Sequence, residues 1–474
     1  MNNRQEHQTS PVSFRFSNIG PVNEATLQLG GLTVIAGRNN TGKTYIVYSL
    51  YGFLKGWIGW LQAENFLAEA ADEFPEVKTI RNDIHAAGRA SVPISLSTIA
   101  RQRRILAARV GREFSPQFRM IFNSHRDSFR NARLHVELAD LPNAPAPSRA
   151  TVPFGYSTIT IRYDGGAVTA SVNDNDRSIG RVHPGAFALV YCVFLMRDLF
   201  PDPFILSAER FGISLFYREL DFTKNQIVDL LQKLAADGGT KSPSPFLIVD
   251  RTTSRYATPI KDNIDFTRSI PDLPKDRSAL ADHKFFDDVK NLVDGYYSNA
   301  TDNIRFISKA RGKGRSFNIP LHLASSSARG LSDLYFFLRY VAASGQLLII
   351  DEPESHLDTR NQVLFARMLA RFVTAGLRVL ITTHSDYLVK ELNNLIMLSR
   401  DFPEKKAVAK KLGYRLDEGL NPRSVRAYVA EGGGLTECKI GAFGIEMPVF
   451  DRTIDDINEV AIELSSRVMP EAGG

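Results

Sequence analysis

Short apolar runs closed by small or charged residues, with helical stretches between them, set the pattern of this chain. Val12-Ser-Phe-Arg-Phe16 and Ala25-Thr-Leu-Gln-Leu29 alternate apolar and polar positions around a turn at Asn18-Ile-Gly-Pro21, the period of a hairpin. Leu32-Thr-Val-Ile-Ala36, Phe204-Ile-Leu-Ser-Ala208, Leu347-Leu-Ile-Ile350 and Leu377-Arg-Val-Leu-Ile-Thr382 are continuous runs, as expected of buried core strands. Ser157–Tyr163 and Ala167–Val172, separated by Asp164-Gly-Gly166, predict a second hairpin. Helical character is expected from Tyr45 to Leu54, from Leu61 to about Leu134, from Glu209-Arg210 on to Asp237, and around His283–Val293. Breaks fall at Leu141–Ser148, rich in proline, and at Gly238–Pro245. The most apolar run, Ala186–Met196, is too short to span a bilayer and ends at Arg197, so a core helix is expected.

What closes the apolar runs carries the chemistry. After the first core strand comes Gly37-Arg-Asn-Asn-Thr-Gly-Lys-Thr44, which reads G-x-x-x-x-G-K-T, the Walker A phosphate-binding loop. Backbone N–H groups of such a loop, over Gly37, Asn39, Asn40, Thr41 and Gly42, cradle phosphates at a helix N-terminus. Lys43 would reach the terminal phosphates and the Thr44 hydroxyl would ligate Mg²⁺. Leu347–Ile350 runs into Asp351-Glu352, a Walker B pattern. Its first carboxylate would enter the Mg²⁺ shell, and Glu352 would act as general base toward the attacking water. The strand Val379-Leu-Ile-Thr-Thr ends at His384, which can hydrogen-bond a γ-phosphate. These features in this order predict binding of ATP with Mg²⁺.

Composition narrows the setting. Hydrophobic content of 43% and charged content of 23% describe an ordinary globular chain with ample core material. The net charge of +6 permits contact with nucleic acid or an acidic partner without demanding it. Cys192 and Cys438 are far apart and form no C-x-x-C pair, which fits a reducing, cytoplasmic setting. The first ten residues lack an apolar signal core, and no membrane partner is expected.

Spacing then separates kinds of ATPase. The two halves of the nucleotide site lie about 300 positions apart, whereas ring-forming ATPases place them within about one small domain. The order of motifs, the run Asp351-Glu-Pro-Glu-Ser-His-Leu-Asp358, the run Thr382-Thr-His-Ser-Asp-Tyr-Leu388 and the N-terminal stretch up to Thr44 resemble the ABC-type ATPase heads of the SMC and OLD group. That resemblance implies an α/β head with a mixed β-sheet, and a composite site in which two heads sandwich the nucleotides. Each head would offer a signature motif, and Asp358 of the D-loop, to the other's nucleotide. The signature position holds Ala324-Ser-Ser-Ser-Ala-Arg-Gly330, without the usual glycine pair. Ser326 and Ser327 are its candidate phosphate donors and Arg329 a positive charge acting in trans, the alternative being a plain serine N-cap. The residues do not place the Q-loop glutamine; Gln117 is a weak candidate for it.

Ser207–Phe216, Ser325–Tyr340 and Val379–Leu398 resemble more narrowly the stand-alone ATPases of bacterial anti-phage systems, of the AriA type found in PARIS. This implies a homodimer of heads or a higher homo-oligomer, a separate effector of the Toprim nuclease type, and a phage-encoded trigger. The competing class is a DNA-repair or chromosome-structuring ATPase, against which the insertions carry no long heptad repeat and no zinc-hook C-x-x-C. A nuclease of the chain's own is not expected. Val429-Ala-Glu-Gly432 is followed by no D-x-D, and Asp455-Asp456 reads as a solvated face.

The expected organisation is an N-terminal lobe (1–60), a helical arginine-rich insertion (61–150), a return to the lobe (151–212), a second insertion (213–318), a C-terminal lobe (319–400) and a small extension packed on the head (401–474). Between 101 and 133 stand nine arginines against Glu113 and Asp127, interleaved with Phe114, Phe118, Phe122 and Phe129. A nucleic-acid or partner surface and a solvated helical face both fit that pattern.

Overall fold

The computed structural model describes residues 11–447 and 457–467, apart from 62–68, 71, 126, 140–148, 155–156, 175–183, 217–255, 275, 282–284, 300–302, 310–314 and 466. The proline-rich break at 141–148, most of the helix expected up to 237, the break at 238–245 and Asp455-Asp456 therefore lie outside the described residues.

The alternating and continuous apolar runs become two kinds of strand in one nine-stranded sheet. Its antiparallel half starts with β1 (Val12–Ile19) and β2 (Val22–Gln28), where buried positions recur every second residue. Its parallel half holds β3 (Leu32–Ala36), β9 (Pro203–Leu206), β13 (Leu347–Asp351) and β14 (Arg378–Thr383). Every residue of β3 and β13 is buried, because helices cover both faces. Ile35, Leu347, Ile349 and Leu380 share one core with α1 (Lys43–Leu61) and the apolar helix Pro184–Met196. Val34, Leu348, Ile350 and Ile381 share the other with the helices Thr359–Thr374 and Asp386–Ser399. Each such side chain contributes roughly 1.5–3 kcal/mol when fully buried, so the register of these strands is strongly determined. The parallel register pairs Asp351 with Thr382, Thr383 with Ala36 and Ile350 with Leu206, which brings four strand ends to one edge.

Several expectations about organisation change. The stretch 61–134 is not wholly helical: besides α2 (Pro75–Ala87), α3 (Leu96–Phe114) and α4 (Phe118–Phe122) it contains β4 (Arg89–Pro93). Five residues are too few for periodicity to separate a strand from the helices beside it. β5 (Arg133–Leu138), expected inside the insertion, pairs with β1 and forms the edge of the main sheet. The second hairpin, β7 (Ser157–Asp164) and β8 (Ala167–Asp174), does not return to the main sheet. It joins β4 and β6 (Ala150–Phe154) in a separate four-stranded sheet ordered β4-β8-β7-β6. The apolar run 186–196 is a core helix as expected, α5 (Pro184–Met196).

The largest correction concerns the tail. Residues 401–474 were expected to pack on the head, yet β15 (Val425–Glu431) lies inside the main sheet, parallel to β3 and antiparallel to β16 (Gly434–Glu437). The full order is β5-β1-β2-β16-β15-β3-β14-β13-β9. Val425, Ala427, Tyr428 and Ala430 are buried, so the strand next to the phosphate loop comes from the far end of the chain. Among the described residues no helix is long and apolar enough to cross a membrane.

Candidate active site

The phosphate loop runs from β3 into α1, which begins at Lys43 itself. Two glycines are there because of close approach. A Cβ on Gly37 (φ 154°) would stand 2.6 Å from the carbonyl oxygen of Ala430 in β15, and one on Gly42 (φ 92°) would stand 2.4 Å from Val22 Cγ2. Asn40 takes the left-handed conformation at φ 63°, which asparagine tolerates. The Thr41 hydroxyl donates to Arg38 O at 2.9 Å, while Asn39 and Asn40 are exposed at the loop surface. Lys43 is buried and lies across the loop, with Nζ donating to Gly37 O and Arg38 O, each at 2.8 Å. Burial lowers its pKa, opposed by the charges of Glu352, Asp351 and Glu354.

The two proposed metal ligands, 307 positions apart, meet: Thr44 Oγ1 donates to Asp351 Oδ2 at 3.1 Å. Asp351 is fully buried, and its Oδ1 accepts from the Thr382 hydroxyl of the neighbouring strand. Burial raises its pKa to about 6 against the lowering effect of Thr382 and Thr44, with Glu352 and Glu209 adding like charge. A buried carboxylate beside a hydroxyl is a hard, all-oxygen donor pair, which suits Mg²⁺. Among the described residues no group of three or more His, Cys, Asp or Glu could hold a metal alone. So sparse a set fits an ion that shares its shell with phosphate oxygens and water.

Glu352 follows on a left-handed turn at φ 51°, where its backbone N–H donates to Thr382 Oγ1 at 3.0 Å. Its Oε2 accepts from Ser355 Oγ at 3.2 Å, so the carboxylate is steadied beside the loop. His384 stands at the end of the next strand with its side chain 46% exposed. Glu354 holds it there: Oε1 accepts from His384 N at 2.7 Å and from Thr383 Oγ1 at 2.9 Å, and lies 3.1 Å from His384 Nδ1. With Nδ1 engaged, Nε2 is the ring atom left to meet a ligand. Lys43, Thr44, Asp351, Glu352 and His384 are thus brought to one edge of the sheet.

Three residues of this site escaped sequence reasoning. Glu354 stands inside the run Asp351–Asp358, and its position two residues after Glu352 is the signal that puts it at the same strand end. Arg210 is buried and donates to Ser207 O at 3.0 Å, Asp351 O at 2.7 Å and Glu352 O at 2.8 Å. Burial pulls its pKa down to about 10 although Asp351, Glu354 and Glu352 lie near. Glu209 accepts from the Tyr48 hydroxyl of α1 at 2.9 Å, beside the strand that carries Asp351. The signal was the pair of charges closing the apolar run Phe204–Ala208. Gln117, by contrast, closes the 3₁₀ turn Ser115–Gln117 within the arginine-rich segment.

Among the described residues, none of the signature residues bonds directly to Lys43, Thr44, Asp351, Glu352 or His384. Ser325 is the N-cap of a short helix, accepting from Ala328 N at 3.2 Å, which is the plain capping role. Ser326 and Ser327 occupy its first turn. Arg329 is turned back on its own segment, donating to Ala324 O at 3.0 Å, His322 O at 3.3 Å and Ser326 Oγ at 3.4 Å. Asp358 caps the helix Thr359–Thr374 through Asn361 N at 2.9 Å. Ser325, Ser327 and Asp358 share a cavity of about 890 Å³ that no phosphate-loop residue lines.

Residues 172–390 match the family model described as AAA domain, putative AbiEii toxin, Type IV TA system. Its bounds take in Arg210, the signature segment, Asp351, Glu352 and His384, and leave the phosphate loop outside. No curated protein matches the chain in sequence. Among solved structures, an SMC head domain from Thermotoga maritima is 11% identical, covering 92% of this chain and 99% of that one at a TM-score of 0.30. The Smc head of Pyrococcus furiosus with an extended coiled coil, bound to the C-terminal domain of ScpA, is also 11% identical, covering 96% and 99% at 0.33. The recombination mediator protein RecF-ATPrS is 11% identical, covering 91% and 100% at 0.29.

Proposed function

We propose that the chain binds ATP with Mg²⁺ at the phosphate loop and hydrolyses it slowly, working as an ABC-type head in a homo-oligomer. The observation that carries this reading is the 3.1 Å bond between Thr44 Oγ1 and Asp351 Oδ2, with Lys43 and Glu352 beside it. Thr44 and Asp351 would hold Mg²⁺, which would supply positive charge to offset that of the phosphates. Lys43 meets the β- and γ-phosphates as a point charge, and the loop N–H groups over residues 37–44 fix their position. Glu352 orients the attacking water and accepts its proton, while Ser355 and the turn at φ 51° hold that carboxylate in place. His384, oriented by Glu354, donates to the γ-phosphate. The separation of the signature cavity from the loop supports a second copy facing each nucleotide, since one chain alone offers the two halves on different surfaces.

The role we assign is that of a sensor and scaffold in bacterial anti-phage defence, of the AriA type, in the cytoplasm. ATP would hold the heads together, and a phage product would disturb them and release a separate toxic effector, a Toprim-type nuclease. The toxin–antitoxin wording of the matched family and the sequence resemblance of Ser207–Phe216 and Val379–Leu398 support this reading.

Glu352→Gln tests the core of it. Mg-ATP binding, followed by titration of a fluorescent ATP analogue, should be retained, while steady-state phosphate release falls by about 10²-fold or more. Turnover at the parental rate would overturn the assignment of the base. In cells, toxicity should need a second protein and vanish in Lys43→Ala, and the purified chain should cut neither DNA nor RNA. Toxicity of the chain alone would remove the separate effector.

A further inference from the structure

The described arginines between 101 and 133 do not form one surface, and the structure divides them by burial. Arg103 is buried and donates Nε to Leu195 O of α5 at 2.7 Å. Arg109 is buried at the limit of exposure, bonded to Glu69 and 3.5 Å from Glu73. Both are packing residues that hold α3 in place. Four others converge elsewhere. Arg112 on α3, Arg119 on α4, Arg130 in the turn that follows and Arg133 on β5 line a cavity of about 590 Å³, with His135 and Phe129.

The chemistry of this cavity is one-sided. All four guanidinium side chains belong to exposed residues, and among the described residues no acidic residue lines it. Glu113 and Asp127, the two acids of the segment, stand outside it. Among the described residues none of the four arginines makes a salt bridge; Arg133 donates to the carbonyls of Arg130 and Ala132, at 3.0 and 2.8 Å. Gathering like charges without counter-charge costs free energy that an anionic ligand would recover. The frame beneath is aromatic. Phe129, held at φ 64° where a bulky residue is strained, stacks on Phe122 with centroids 4.8 Å apart, and Phe122 rests 5.2 Å from Tyr45. The buried Ser115 hydroxyl in the wall is already used, donating to Gly111 O and accepting from Leu134 N.

We propose that this cavity binds the phosphodiester backbone of a nucleic acid, without base preference. Exposed forked donors from a helix, a short helix, a turn and a strand suit a row of phosphates. A small anion would need buried, unspent polar groups to define its shape, and the one buried hydroxyl here is spent. Affinity would come from counterion release and fall steeply with salt.

The test is fluorescence anisotropy of the full chain with fluorescein-labelled single-stranded DNA, RNA and duplex DNA of about 20 nucleotides, from about 50 to about 200 mM salt. The parent should bind all three. The double variants Arg119→Ala/Arg130→Ala and Arg112→Ala/Arg133→Ala should each weaken duplex binding by on the order of ten-fold at low salt. Each should also reduce the slope of log K against log salt by about 2. Arg101→Ala/Arg162→Ala, which removes two exposed arginines outside the cavity, should leave both values unchanged. No binding by the parent at about 50 mM salt, or an unchanged slope in both cavity variants, overturns the proposal. So does calorimetric binding of inorganic tripolyphosphate to the Lys43→Ala chain, lost in the cavity variants, in a protein that binds none of the three nucleic acids.

Discussion

Arg210 shows how a single side chain can set the geometry of a site it does not chemically serve. Its guanidinium joins the carbonyls of Asp351 and Glu352, so the turn that aims both carboxylates is fastened from behind. Of the three carbonyls it meets, Ser207 O and Glu352 O also accept from the backbone N–H groups of Arg210 and Ser355, at 3.2 and 3.1 Å. Arg210→Met should therefore lower stability by roughly 1–3 kcal/mol, the cost of about one buried carbonyl left unpaired, read as a shift of the urea midpoint at unchanged slope. Arg210→Lys keeps the charge but loses the fork, and should fall between the two in stability and in phosphate release. A urea midpoint for Arg210→Met equal to the parent's would show that the fastening carries no weight. The sequence marked this residue only as a charge closing an apolar run. The partners it chose lie about 140 positions away, and no local pattern reports such a bond.

At the level of elements, a buried polar network ties the signature region to the strand ends. Asp333, at the start of the helix Ser332–Phe336, accepts from Thr267 Oγ1 at 2.9 Å and from Ser332 Oγ at 3.3 Å. Thr267 belongs to the helix Thr258–Ser269, whose Asn263 accepts from Ser207 N at 2.7 Å. Burial raises the Asp333 carboxyl from its ordinary 3.8 to about 6, only partly opposed by Thr267, Ser332 and Arg210. A carboxyl raised in the folded state favours folding fully below its unfolded pKa, and that contribution is lost as pH rises through about 6. The loss between about pH 4 and 7 is on the order of 3 kcal/mol, and Asp351 titrates in the same direction. Asp333→Asn removes one titration and one acceptor, and only the titration depends on pH. Urea midpoints from pH 4 to 8 should then fall less steeply with rising pH in Asp333→Asn than in the parent. Parallel curves would remove this role for Asp333.

At the scale of the whole molecule, the two halves of the proposed composite site do not share a cavity. The phosphate loop sits at the carboxyl ends of β3, β13 and β14, while Ser327 and Asp358 line their own cavity. Pairing of two heads would bring them together, and a large cation placed at Ser327 should prevent it. In the Glu352→Gln background, Mg-ATP is expected to drive the chain to a larger species on size exclusion with light scattering. Adding Ser327→Arg should return it to the nucleotide-free size while ATP binding persists. An unchanged assembly would mean that heads meet through another face.

The motifs of the nucleotide site were legible in the residues alone, because the strand before the loop, the loop and the helix after it are contiguous, and because apolar runs closed by Asp351-Glu352 and by His384 announce buried strands ending in function. Local order is what sequence records well, so the expected strands and the core helix at 186–196 stand where they were read. What only the tertiary structure decided is which distant pieces share an edge, a cavity or a bond. It drew β15 from beyond residue 400 into the sheet beside β3, since a parallel neighbour buries its apolar residues on both faces. Of the arginines between 101 and 133 it buried Arg103 and Arg109 in packing and gathered Arg112, Arg119, Arg130 and Arg133 around one exposed cavity, a difference that composition does not record. It also gave Arg329 and Asp358 local partners within their own segments. Hydrophobic burial sets the order of strands, and the polar groups then take whatever partners that order leaves within reach.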